Sequence, residues 1–282
     1  LKLVCGRRVL DLSRPAVMGV LNVTADSFSD GGRFRDFDAA IAHGAKLVEE
    51  GAAIVDVGGE STRPGAEPVP VQQELDRVIP VIEALAGRLD VILSVDTMKP
   101  EVMREAVRAG AGLINDVRAL AEPGALEAAA ESGAAVCLMH MQGMPRTMQQ
   151  NPHYEDVVRE VGDFLRERTA ACLAAGIPAE RICVDPGFGF GKNLAHNLQL
   201  LAGLPRIVAD GPPVLVGLSR KSMLGAITGR PVDERLAGSL ALATIATLHG
   251  ALIVRAHDVA ATRDAVAVAF AARQQQQDKN RT

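Results

Sequence analysis

Eight short apolar runs punctuate this chain, each followed by a turn rich in Gly, Asp or Asn, and helical patterns sit between them. The runs are Val17 to Val20, Ala53 to Val57, Val91 to Val95, Leu113 to Asn115, Ala135 to His140, Ile182 to Asp185, Val214 to Gly217 and Leu252 to Arg255. Helical periodicity covers 38–50, 71–86, 99–108, 154–175, 234–249 and 259–272, with glycine repeatedly near the ends. Strict strand-helix alternation predicts a parallel sheet. Eight units in 282 residues favour closure into a (β/α)8 TIM barrel over an open doubly wound sheet.

The flanks fit that frame. Cys5-Gly6-Arg7-Arg8 lies between two short apolar runs and predicts an N-terminal β-hairpin capping the barrel floor. Residues 1–272 are expected to form one barrel domain and 273–282 a polar, disordered tail. At 48% apolar and 23% charged residues the chain can bury a large core, and a net charge of -4 gives no electrostatic case for nucleic acid. No run approaches a membrane span, and the charged opening LKLVCGRRVLDLS does not read as a signal peptide, so the expected location is the cytoplasm. The four cysteines, Cys5, Cys137, Cys172 and Cys183, lack metal-type spacing and read as buried, reduced thiols.

In a closed barrel the chemistry sits where the strands end, so polar residues at those ends are the candidate site. Asn22, Asp96, Asn115 and Asp185 stand there, and Arg255 and His257 share one strand face as hydrogen-bond donors, an anion site in outline. Each has a plainer reading. An Asp at a strand end is often the N-cap of the next helix, Lys221 is alternatively a solvated loop cation, and a single histidine more often packs than binds. Asp56 lies within an apolar run and is either a supporting carboxylate or a hydrogen-bonded core residue; it is not placed in the site. His43, His140, His153, His196 and His249 show no metal-ligand spacing. Gly187 to Lys192 approaches a phosphate loop but has the wrong spacing, and Asn193 follows the lysine where Ser or Thr is needed.

The loops carry more than single residues. They read NVTADSFSDGGRF after the first run, GGESTRPGA after the second, SVDTMKP around the third and Asn115-Asp116-Val117 at the fourth. LMHMQGMPRTMQ, DPGFGFGKN, GLSRKSMLG and RAHD follow in order. This series resembles the dihydropteroate synthase family across the whole barrel. The resemblance implies condensation of (7,8-dihydropterin-6-yl)methyl diphosphate with p-aminobenzoate to dihydropteroate and pyrophosphate, by a dissociative displacement assisted by Mg2+. It also implies sulfonamide competition and a homodimer.

The resemblance further implies the roles of the residues. Asp96, Asn115 and Asp185 would pair with the pterin's amino edge, Lys221 donate to its acceptors, Arg255 stack over the ring and Met139 wall it, with Gly217 a further contact. Asn22, Thr62, Arg255 and His257 would neutralise the departing pyrophosphate together with Mg2+, Asn22 being the metal ligand. Phe28, Arg63, Pro64, Phe190 and Ser222 match the p-aminobenzoate pocket, and Asn22, Lys221, Arg255 and His257 are the catalytic set. An arylamine is neutral at pH 7, so no strong general base is needed. The first loop departs from the family in having Ala25 where proline is usual, which loosens the open loop without removing a ligand. Two other classes fit a pterin-binding barrel: a non-catalytic homologue, against which Phe28, Arg63, Lys221 and Ser222 argue, and a methyltransferase working with a corrinoid protein, which has less use for the first two loops.

Overall fold

A computed structural model describes residues 1–23, 33–61, 65–144, 146–209 and 211–279, with backbone alone at 33–35 and 277–279. Strands β3 (Ala16–Asn22), β4 (Ile54–Gly58), β5 (Ile92–Asp96), β6 (Leu113–Asp116), β7 (Ala135–Met139), β8 (Ile182–Asp185), β9 (Leu215–Gly217) and β10 (Ile253–Ala256) lie parallel in the order β8-β7-β6-β5-β4-β3-β10-β9. Val184 bridges Val214, and its amide donates to the Pro213 carbonyl at 3.0 Å, closing the sheet into the expected barrel. All eight strands match the apolar runs read from sequence to within about two residues.

The helices are α1 (Arg33–Glu49), α2 (Val71–Ala86), α3 (Pro100–Ala109), α4 (Ala125–Ser132), α5 (Val157–Ala174), α6 (Leu194–Ala202), α7 (Leu204–Ala209), α8 (Ser222–Thr228), α9 (Leu236–Leu248) and α10 (Val259–Lys279). Helix α3 begins with Pro100, whose missing N–H costs nothing in a first turn. At α5 the Asp156 carboxylate accepts from the amides of Val158 at 3.1 Å and Arg159 at 3.0 Å, so the helix starts after the expected 154. Helix α10 runs on through Lys279, so residues 273–279 are helical where a disordered tail was expected. Gln, Arg and Lys keep good helix propensity without apolar neighbours.

The strands alternate with period two. Val55, Val57, Leu93, Val95, Ile114, Val136, Leu138, Val184, Val216 and Val254 face outward into the layer shared with the helices. Ile54, Ile92, Leu113, Ala135, Cys137, Cys183, Leu215 and Ile253 face inward near the floor. The predicted hairpin is present: β1 (Lys2–Cys5) pairs antiparallel with β2 (Arg8–Asp11) through a turn in which Gly6 takes φ +61°. Leu3, Cys5, Leu10 and Leu12 pack into that inward layer and plug the floor. The four cysteines are free and buried, as read from sequence, and burial pushes the Cys172 thiol up to about 11.

Candidate active site

Moving up the barrel, the inward positions change from apolar to polar. Two residues above the floor layer stand Asp56 on β4, Ser94 on β5, Asn115 on β6, Asp185 on β8, Gly217 on β9 and Arg255 on β10; Asp96 follows two residues further along β5. The period that buries Ile54 and Ile92 therefore aims these side chains at one mouth.

Arg255 organises one side. Its Nε donates to Asp56 Oδ2 at 2.7 Å, its guanidinium donates to Asp96 Oδ2 at 2.9 Å, and Asn115 Nδ2 donates to the same Asp56 oxygen at 3.0 Å. Asp56 is wholly buried, and its Oδ1 has no hydrogen-bond partner among the described residues. Burial raises the Asp96 pKa, Arg255 pulls it down and the Asp56 charge adds to the rise. Arg255 itself is held above its ordinary value, because the two carboxylates outweigh the burial of its charge. Asp56, which sequence reading left outside the site, thus lies within it, bonded to two of the predicted residues. The signal was its place on the same inward face as Ile54, two residues before the glycine-rich loop.

Asp185 and Lys221 form the other side. Asp185 Oδ1 accepts from the Gly187 amide at 2.7 Å. Its Oδ2 faces Gly217, whose missing side chain leaves room, since a Cβ there would lie 4.0 Å from that oxygen. Burial pushes Asp185 up to about 6, against the pull of that amide and of Lys221. Lys221 sits with its ammonium 4.1 Å from the centre of the Phe190 ring, and burial brings it down to about 8. Met139 packs with Val117, Met141 and Met148, and Met98 and Phe190 lie against them, giving a polarizable wall.

The loop after β9 is set by Arg220, a non-glycine residue at φ +57°. Its guanidinium grips Asp258 at 2.7 and 3.1 Å, and Arg235 donates to its carbonyl at 3.1 Å, so the turn that presents Lys221 and Ser222 is fastened from two elements. Ser222, exposed, opens α8. His257 stands just past β10 with Nδ1 3.0 Å from Ser219 Oγ. Asn22 is exposed at the end of β3. Phe28, Thr62, Arg63 and Pro64, with Ala25, lie outside the described residues. Below the second loop, Lys99 bridges Glu60 and the buried Glu74, and Arg77 donates to the Gly59 carbonyl at 2.9 Å.

The plainer readings sort themselves. Asp116 is the turn-former: its oxygens accept from the Arg118 amide at 2.8 Å and the Leu120 amide at 2.7 Å. Asp96 turns to Arg255, and the turn after it is made by Thr97, whose Oγ1 accepts from the Lys99 amide at 3.2 Å. His196 completes a capping box with Asn193 at α6, and His249 Nδ1 meets the Leu201 carbonyl at 2.8 Å. Among the described residues no group of three His, Cys, Asp or Glu side chains is placed to hold a metal. The carboxamide oxygen of Asn22, exposed at the end of β3, fits a hard cation that keeps its remaining ligands from phosphate and water.

Comparison with known proteins agrees with this geometry. A family model described as pterin binding enzyme matches residues 18–257. A dihydropteroate synthase of Escherichia coli is 56% identical over 268 residues, covering 95% of each chain. A Yersinia pestis dihydropteroate synthase solved with a sulfonamide drug complex superposes with a TM-score of 0.92 at 53% identity, covering 97% of this chain and 100% of that one. A Xanthomonas albilineans dihydropteroate synthase in complex with 7,8-dihydropteroate superposes with a TM-score of 0.87 at 54% identity, covering 96% and 98%.

Proposed function

Since this chain belongs to the pterin binding enzyme family, among its dihydropteroate synthases, we propose a division of labour at its barrel mouth. The enzyme is a transferase that joins (7,8-dihydropterin-6-yl)methyl diphosphate to p-aminobenzoate and releases pyrophosphate. The observation that supports the assignment of roles is the convergence from five strands of the buried Asp56, Asn115 and Asp185 with the part-buried Asp96 and Arg255.

Asp96, Asn115 and Asp185 receive the pterin's amino and ring N–H donors; Asp185 Oδ2 has open space before it at Gly217. Lys221 donates to the pterin's acceptors. Hydrogen bonds from Arg255 to Asp56 and Asp96 lie in the guanidinium plane, which leaves the flat faces for stacking on the ring. Electron density from the ring supports the methylene as its C–O bond breaks and the electron pair leaves with the diphosphate. The arylamine lone pair then forms the C–N bond, and its proton passes to solvent or pyrophosphate. In this reading His257, Asn22, Thr62 and the cationic side of Arg255 act on the leaving group, and their stabilisation would grow as charge builds. Mg2+, carried by the diphosphate and touched by Asn22, would supply further charge neutralisation there. Phe190, Ser222, Phe28, Arg63 and Pro64 form the second-substrate pocket, and a sulfonamide competes for it.

Two copies of the chain form a homodimer in this reading, covering exposed apolar residues such as Ile227 on α8, Leu236 and Ile245 on α9 and Val268 on α10. A cytoplasmic location belongs to the same reading; no described helix is long and apolar enough to cross a membrane. The deciding experiment is pyrophosphate release from the purified protein given the dihydropterin diphosphate, with and without p-aminobenzoate and Mg2+. Release that needs both and matches dihydropteroate formation is the expected result; tight pterin binding without product would overturn catalysis.

A further inference from the structure

The motif Gly187 to Lys192 is not a phosphate loop, and the mechanism above leaves its lysine unused. Lys192 is only 2% exposed. Its ammonium donates to His140 Nδ1 at 2.9 Å, to the Gly187 carbonyl at 2.9 Å and to the Phe190 carbonyl at 3.0 Å. An ammonium has three N–H groups, and here each has one close acceptor. His140 lies edge-on to Phe164 with ring centroids 4.9 Å apart, and burial, with the nearby Lys192 charge, keeps the imidazole neutral; facing an ammonium, which can only donate, Nδ1 is the accepting nitrogen and Nε2 carries the proton.

The two carbonyls belong to the segment that builds one wall of the pterin site. Gly187 gives its amide to Asp185, and Phe190 gives its ring to Lys221. His140 belongs to the adjoining loop after β7, against which this segment is closely docked. A Cβ on Gly187 would fall 1.9 Å from the His140 carbonyl oxygen, and one on Gly191 2.4 Å from that of Gln142. Further ties run from the Tyr154 hydroxyl to the Gly191 carbonyl at 2.8 Å and from the Gly189 amide to Asn197 Oδ1 at 2.7 Å. These hold the loop's outer end; the His140 amide donates to the Asp185 carbonyl at 3.0 Å and the Phe190 amide to the Gly187 carbonyl at 3.1 Å, and among the described residues Lys192 supplies the side-chain link from the Gly187 and Phe190 carbonyls to His140.

We propose that Lys192 is a positioning residue for pterin recognition, acting with His140 to set the loop that aims Asp185 and Phe190. The proposal rests on the pterin reading of the barrel mouth, and wild-type binding is the control that separates the two. The whole protein, as wild type, Lys192→Met, His140→Asn and His140→Leu, is titrated calorimetrically with a pterin lacking the diphosphate and, separately, with magnesium pyrophosphate.

Lys192→Met should bind the pterin about tenfold or more weakly, since His140 Nδ1 and the Phe190 carbonyl lose their donor and the Gly187 carbonyl is left with the Phe190 amide alone. Pyrophosphate should bind it within about twofold of wild type, because Asn22 and His257 lie across the mouth on other strands. His140→Asn, whose Oδ1 takes the place of Nδ1, should keep wild-type pterin affinity, whereas His140→Leu should lose it several-fold. Equal pterin affinity in wild type and Lys192→Met, equal weakening toward both probes, or identical behaviour of the two His140 variants would each overturn the proposal. If Lys192→Met does not fold, the His140 pair decides. A wild type that binds no pterin would overturn the pterin reading and this inference with it.

Discussion

At the residue scale, the site depends on carboxylates and ammoniums kept in unfavourable surroundings. Asp185 titrates near 6 and Lys221 near 8, and pterin recognition needs the carboxylate and the ammonium together. Pterin affinity should therefore be highest between about pH 6 and 8 and fall on both sides, and Asp185→Asn should lose the acid limb along with about tenfold or more in affinity; calorimetry across pH checks both. The same substitution has an opposite effect on folding. A carboxylate whose pKa rises on folding contributes stability that is present at low pH and lost as pH rises through the folded value, here near 6. Unliganded Asp185→Asn should accordingly melt several degrees above wild type at pH 7.5, a gain of up to about 3 kcal/mol. Asp56→Asn should weaken pterin binding about tenfold by loosening Arg255 and Asn115, and should lower the Asp96 pKa because one repelling charge is gone. Asp56 also marks where sequence reading ran out. A carboxylate inside an apolar strand is visible as an anomaly, but whether it meets Arg255 or a buried amide depends on β10 pairing with β3, one strand away from β4, which strand periodicity does not encode.

At the element scale, the strands were legible and the loop fastenings were not. Period two and a turn after each apolar run suffice to find eight strands, since both are local properties. Helix limits followed caps instead of periodicity: Asp156 delays α5, and Asn193 with His196 starts α6. The loop after β8 is tied down by groups far apart in the chain, and no local pattern reveals that Lys192 points inward. Gly187 tests this fastening directly. It combines φ +70° with a place where a Cβ would meet the His140 carbonyl oxygen, so Gly187→Ala should lower stability by more than about 1 kcal/mol and displace Phe190. Urea unfolding and pterin titration measure the two effects, and unchanged values in both would show that the loop adapts.

At the scale of the whole molecule, stability and chemistry occupy opposite ends of one barrel. The floor is an apolar layer closed by the hairpin; the mouth is a polar layer closed by loops. Leu3 is fully buried in the floor, so Leu3→Ala should cost about 2–5 kcal/mol in urea unfolding while leaving KM for both substrates unchanged. A rise in either KM would mean that the two ends are coupled. The hairpin also bears on how the chain reaches this state. Leu3 and Leu10 share a layer with Leu215 and Ile253, contributed by strands near the far end of the sequence. This hairpin, made before the strands it rests on, thus has no finished seat until β10 has been made. Its contacts span almost the whole barrel in sequence, so the floor is expected to close late in folding, with Leu3 and Leu10 uncovered until then.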